Sequence, residues 1–129
     1  MGDPAGSRIH HVAIRVADPD ASLAFYSGAL GLPEVRRFHD GGQVRSIWVR
    51  AGDGVVMLER EIKGGGPSAG SGHVLVLEVD DLPGSVARLA DAGHAPIART
   101  ESTVFYADPD GHRVGLTVFP RADLIAPAP

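Results

Sequence analysis

Apolar and polar residues alternate with a period of two over His11-Val12-Ala13-Ile14-Arg15-Val16, and the same alternation returns from Val74 to Val79. That is the pattern of a strand whose two faces meet different surroundings. Each of these segments runs into helical spacing. Asp18-Pro19-Asp20 offers a capping carboxylate and a proline at the first helical position, and Leu23, Tyr26 and Leu30 then fall on one stripe. Asp81 opens the second helix, Leu82, Val86 and Leu89 form its stripe, and Gly93 stands where it should stop. Three strand-like segments follow each helix, over 34–39, 43–50 and 55–61 in the first half and over 95–100, 103–107 and 112–119 in the second. Gly41-Gly42 and Asp53-Gly54 supply turns in the first half, and Asp108-Pro109-Asp110-Gly111 supplies the last turn in the second.

The plan is therefore βαβββ, linker, βαβββ. It predicts a single domain over 1–129 with a first module at 8–61, a glycine-rich linker at 62–72, a second module at 73–119 and a peripheral Pro- and Ala-rich tail at 120–129. The fold class is α+β.

Composition narrows the functions available. Hydrophobic residues at 43% and charged residues at 22% belong to an ordinary globular chain of 129 residues, able to build a core without metal or disulfide. Cysteine is absent, which removes disulfides, thiolate metal sites and cysteine nucleophiles together and fits a reducing compartment. A net charge of −4 makes nucleic acid an unfavourable partner. The longest clean apolar run, Val74-Leu75-Val76-Leu77, falls far short of the ~20 residues needed to cross a bilayer. Met1-Gly2-Asp3-Pro4-Ala5-Gly6 lacks an apolar signal core, so the expected location is the cytoplasm. No Gly-x-Ser-x-Gly, Walker or dinucleotide fingerprint occurs.

The paired βαβββ repeat resembles the vicinal oxygen chelate superfamily, which includes glyoxalase I, bleomycin-resistance proteins and extradiol dioxygenases. The likeness is carried by His11-Val12-Ala13-Ile14-Arg15-Val16, Phe25-Tyr26, Leu30-Gly31-Leu32, Glu78-Val79-Asp80-Asp81-Leu82 and Asp108-Pro109-Asp110-Gly111, and it covers about residues 8–119. The resemblance implies two modules forming an open barrel around one cavity. In the enzymes of that family a divalent metal sits there, held by one residue from the first and last strand of each module.

His11 matches the first ligand position of that pattern. The third position falls on Val74, with His73 one residue too early and pointing to the opposite face unless a bulge intervenes. The fourth falls on Gly115, which has no side chain, and the internal repeat places Met57 at the second. The strict register thus favours no metal cofactor. A looser one gathers His11, Glu59 and His73, a donor set suited to Fe, Mn, Ni or Zn.

Alternation also selects the side chains that share the face of His11: Ala13 and Arg15, then Val74, Val76 and Glu78, then Met57, Glu59, Arg113 and Thr117 around a gap at Gly115. Trp48 and Tyr106 are the stacking candidates, each offering a flat face and a polar tip. The candidate ligand-binding residues are accordingly His11, Arg15, Trp48, Met57, Glu59, Val74, Glu78, Tyr106 and Arg113. Arg15 and Glu78 occupy equivalent places in the two halves, and Arg36, Arg37, Arg45 and Arg50 are expected to decorate exposed strand faces.

The expected function is a homodimeric small-molecule-binding protein that sequesters a drug or metabolite, as the resemblance to bleomycin-resistance proteins implies. The alternative is a metal-dependent lyase, isomerase or dioxygenase using His11, Glu59 and His73.

Overall fold

The computed structural model describes residues 9–61 and 70–120. The chain divides into two compact units, Met1–Gly66 and Pro67–Pro129. The first contains β1 (His11–Arg15), α1 (Pro19–Leu23) continuing into a π-helical turn (Ala24–Ala29), β2 (Glu34–Asp40), β3 (Gln43–Ala51) and β4 (Gly54–Glu59). The second repeats the order with β5 (Gly70–Glu78), α2 (Leu82–Asp91), β6 (Ala98–Arg99), β7 (Thr103–Ala107) and β8 (His112–Thr117). Each unit holds one four-stranded sheet, ordered β1-β4-β3-β2 and β5-β8-β7-β6. In both, the first strand pairs in parallel with the last and the remaining pairs are antiparallel. This is the βαβββ module expected from the alternation, made twice.

Both helices start where the acids predict. The Asp18 carboxylate accepts from the backbone N–H of Asp20 at 3.0 Å and of Ala21 at 3.4 Å, and Asp81 accepts from Gly84 N–H at 3.0 Å. These bonds satisfy N–H groups that a helix start otherwise leaves open. Gly31 and Gly93 end the helical segments at φ of 83° and 91°, a left-handed backbone that favours glycine. The first helical stripe differs from expectation. The π-turn widens the repeat, so the adjacent Phe25 and Tyr26 are both buried together with Ser22 and Ala29, while Leu23 and Leu30 are only half-buried.

The core of the first unit lies on one face of its sheet. Val49 pairs with Val56 and Ile47 with Leu58, and none of the four is more than 3% exposed. Burying each such side chain contributes roughly 1.5–3 kcal/mol. The second unit repeats this with Val104 opposite Leu116 and Tyr106 opposite Val114, all buried, and with Leu89 as the buried anchor of α2.

Several boundaries move, and the strand expected over 112–119 ends at Thr117. The strand expected over 95–100 shrinks to Ala98–Arg99, an exposed edge pair bonded on one side only. The strand expected to begin at Val74 begins at Gly70, so the last three residues of the expected 62–72 linker are strand. The second turn of the first unit uses Gly52, at φ 60°, and leaves Gly54 in β4. The strand expected over 55–61 ends at Glu59. The rest of the linker and the tail from 121 onward lie outside the described residues.

Candidate functional site

Register and alternation give each sheet a packed face and an open face. In the first unit the open face has three rungs. The first carries His11, Val55 and Arg50; the second Ala13, Met57, Trp48 and Arg36; the third Arg15, Glu59, Ser46 and Phe38.

Trp48 is held at the centre of this face by a relay. Its indole N–H donates to Ser46 Oγ at 2.9 Å, and the Ser46 hydroxyl donates to Glu59 Oε2 at 2.8 Å. Ser46 is 1% exposed, so both bonds are shielded from competing water. The Phe38 ring lies 5.2 Å from the indole at a tilt of 55°, and the Arg36 guanidinium carbon sits 5.9 Å from the indole centroid. Arg45 approaches the Phe38 ring in turn, at 5.7 Å. Arg36 is exposed on its strand, as expected, and also joins an aromatic cluster. Arg37, on the same strand, has a different task. Its Nε and Nη2 donate to the two oxygens of Glu34 at 2.7 and 2.9 Å, and its Nη1 donates to Asp20 Oδ1 at 3.2 Å. The hydrogen bonds from Arg37 hold the Glu34 carboxyl below its ordinary range.

The open face of the second unit follows the same plan with different chemistry. Its rungs carry Val74, Arg113 and Ala107; then Val76, Gly115, Phe105 and Ala98; then Glu78, Thr117 and Thr103. Phe105 takes the place equivalent to Trp48, and its ring closes the gap expected at Gly115: a Cβ there would come within 3.0 Å of Phe105 Cε1 and 3.1 Å of Cδ1. The third rung is satisfied within the unit, because Thr103 Oγ1 donates to Thr117 Oγ1 at 2.9 Å and Thr117 Oγ1 donates to the Ser102 carbonyl at 3.1 Å.

Of the residues selected from the sequence, His11, Arg15, Trp48, Met57 and Glu59 share the open face of the first sheet, and Val74, Glu78 and Arg113 share that of the second. Tyr106 does not join them. It stands opposite Val114 on the packed face and is 1% exposed, leaving no ring face for stacking. The aromatic that sequence reasoning missed is Phe105, whose parity with Thr103 and Ala107 in the hairpin around Asp108-Pro109-Asp110-Gly111 was the available signal.

The donor set for a metal is not assembled in the first unit. His11 lies on the first rung and Glu59 on the third, four residues apart along the paired strands, or ~13 Å. Side chains stand roughly perpendicular to a sheet, so this backbone spacing also keeps the two donors apart. Two groups bonded to one ion at ~2.0–2.2 Å, by contrast, lie within about 4 Å of each other. The same spacing keeps His11 and Glu59 from meeting directly as acid and base. The His11 Nδ1 instead meets His10 Nδ1 at 2.9 Å. His73 stands in a stretch where the β5–β8 register shifts, between Gly70 and Val74. Among the described residues no group of three His, Cys, Asp or Glu side chains could hold a metal ion.

A further depression of about 390 Å³ lies in the second unit between the end of β5 and the start of α2, lined by Glu78, Asp80, Asp81, Ser85 and Arg88 among others. It is polar, and Asp81 is already engaged as the helix cap. Among the described residues no helix is long and apolar enough to cross a membrane.

Residues 8–116 match the family model described as the Glyoxalase/Bleomycin resistance protein/Dioxygenase superfamily. No curated protein matches the chain by sequence. Solved structures show the same fold. An antibiotic binding protein from Streptomyces sp. CB03234 is 22% identical, with 89% of this chain and 98% of that one covered at a TM-score of 0.67. The trypanothione-dependent glyoxalase I of Leishmania major is 23% identical, with 87% and 86% covered at 0.65. A superfamily member from Sphaerobacter thermophilus is 21% identical, with 86% and 96% covered at 0.69. The repeated βαβββ modules and the match over nearly the whole chain lead to one assignment: the protein belongs to the glyoxalase/bleomycin resistance protein/dioxygenase superfamily.

Proposed function

We propose that the protein binds an organic small molecule on the open face of its first sheet and sequesters it without metal-dependent chemistry, in the manner of the bleomycin-resistance branch of its superfamily. One observation carries this reading, the middle rung Ala13–Met57–Trp48–Arg36. It combines an apolar floor, an aromatic face immobilised by the Ser46–Glu59 relay and a cationic rim, the usual composition of a small-molecule site. The fold is compatible with both an antibiotic binding protein and a glyoxalase, so the choice rests on the side chains. Here the separation of His11 from Glu59 weighs against the metal-dependent alternative. The functional form is proposed to be a cytoplasmic homodimer, the commonest closed assembly for a chain of this size.

The test is metal content of protein purified without chelator or affinity tag, beside a thermal-shift series with Mn, Fe, Co, Ni, Zn and an organic compound library. A melting temperature raised by an organic ligand and unmoved by EDTA supports the proposal. Stoichiometric metal that is lost in both His11→Ala and His73→Ala overturns it.

A further inference from the structure

The charge around Trp48 selects among organic ligands. The chain as a whole carries −4, yet the rungs beside the indole are locally positive. Opposite charges share the third rung, where Arg15 and Glu59 are register partners. The first and second rungs hold Arg50 and Arg36 and no carboxylate. Arg37 shows how a structural arginine on this sheet is used, bound to both oxygens of Glu34 and to Asp20. Among the described residues Arg36 and Arg50 make no such ion pair. Arg36 lies against the indole, and Arg50 follows Trp48 by two residues on the same face of β3, ~6–7 Å along the strand. Two arginines thus neighbour one aromatic side chain, with Met57 and Ala13 beside it on the same rung.

Each part of this arrangement has a chemical preference. An indole face takes a flat ring by offset stacking, and a thioether beside it adapts to its outline. Guanidinium groups stay charged across the physiological range and present a planar fork that fits a carboxylate. The same groups repel a cation. Glu59 keeps its negative charge while accepting the Ser46 hydroxyl, but it stands on the third rung with Arg15 as its register partner. Arg36 and Arg50 therefore have no carboxylate on their own rungs.

We infer that the ligand is a planar aromatic carboxylate, its ring stacked on Trp48 and its carboxylate received by Arg36 and Arg50. This deepens the small-molecule reading given above and rests on it.

Calorimetric titration of the full chain with 2-naphthoate, 2-naphthalenemethanol and 2-naphthylmethylammonium tests the inference, since the three probes share a ring and differ in charge. The anion should bind at least about tenfold more tightly than the neutral probe, the free-energy scale of one charge-assisted contact. The cation should bind worst, and added salt should narrow the gap because exposed charges are screened. Arg36→Gln should lower naphthoate affinity about tenfold and leave the neutral probe within about twofold. Arg50→Gln should act in the same direction without disturbing the indole, and Trp48→Leu should weaken all three probes.

Equal affinity for the three probes, or an anion preference that survives the Arg36→Gln/Arg50→Gln double variant, overturns the inference. A thermal-shift library run on the same preparation separates the two levels. If it yields only neutral or cationic ligands, the ligand class falls and small-molecule binding stands. If neither probes nor library bind, both fall.

Discussion

Phe105 and Gly115 face each other across β7 and β8, and the ring of the first occupies the space that a side chain on the second would need. The equivalent pair in the first unit is Trp48 and Met57, two large residues side by side. The second sheet achieves a filled middle rung with one aromatic and no partner. A long side chain at 115 must therefore displace the ring. Gly115→Glu is expected to destabilise by about 1–3 kcal/mol through overpacking. Phe105→Ala should make the same change cheaper, with a favourable coupling of about 1 kcal/mol in a double-mutant cycle followed by urea unfolding. Purely additive effects would show that the ring and residue 115 do not compete.

The relay that holds Trp48 can be read optically, because Trp48 is the only tryptophan in the chain. Ser46→Ala removes the acceptor of the indole N–H and the donor to Glu59 at once. Emission should shift in wavelength and intensity, and stability should fall by about 1–3 kcal/mol because buried polar atoms lose their partners. Glu59→Gln should be milder, since its amide oxygen still accepts the serine hydroxyl. An unchanged Ser46→Ala emission spectrum would mean that the indole is positioned by packing alone.

Tyr106 presents a buried hydroxyl with no hydrogen-bond partner among the described residues. Tyr106→Phe is therefore expected to leave stability at neutral pH unchanged or to raise it by up to about 1 kcal/mol. Burial also pushes the Tyr106 phenol above its ordinary value of 10.0. Above that pH the unfolded chain releases a proton that the folded chain retains, so the folded state loses stability as pH rises. The phenylalanine variant should lose stability less steeply than the parent on the alkaline side, as thermal melts between neutral and alkaline pH would record.

The Glu34–Arg37 pair has the opposite pH dependence. Arg37 lowers the Glu34 carboxyl from its ordinary 4.5, so the contribution is complete above that pH and is lost as pH falls through the lower folded value. Both side chains are partly exposed, which limits the effect of Glu34→Gln at neutral pH to within about 1 kcal/mol. The difference between variant and parent should close as the solution is acidified below 4.5. A difference that persists in acid would assign the effect to packing or to the strand itself.

Much of this architecture is local and could be read from the chain. The alternation of His11, Ala13 and Arg15 against Val12 and Ile14 determined which side chains share a face, because strand parity is set by bond geometry within a few residues. The acids at 18 and 81 and the glycines at 31 and 93 marked both helical segments for the same reason: a cap and a left-handed stop act on their immediate neighbours. The repeat followed from finding both sets twice.

What parity leaves open is which residues of different strands stand side by side. Only the tertiary structure set His11 opposite Val55, two rungs from Glu59, and so separated two groups that a looser alignment had brought together. It also put Phe105, not Tyr106, on the open face, turned the adjacent Phe25 and Tyr26 inward together through a π-turn, and laid Arg36 on the indole while Arg37 went to Glu34 and Asp20. These outcomes depend on hydrogen-bond register and on packing between residues far apart in sequence. A one-residue change of register exchanges every face, and no single strand carries the information that selects it.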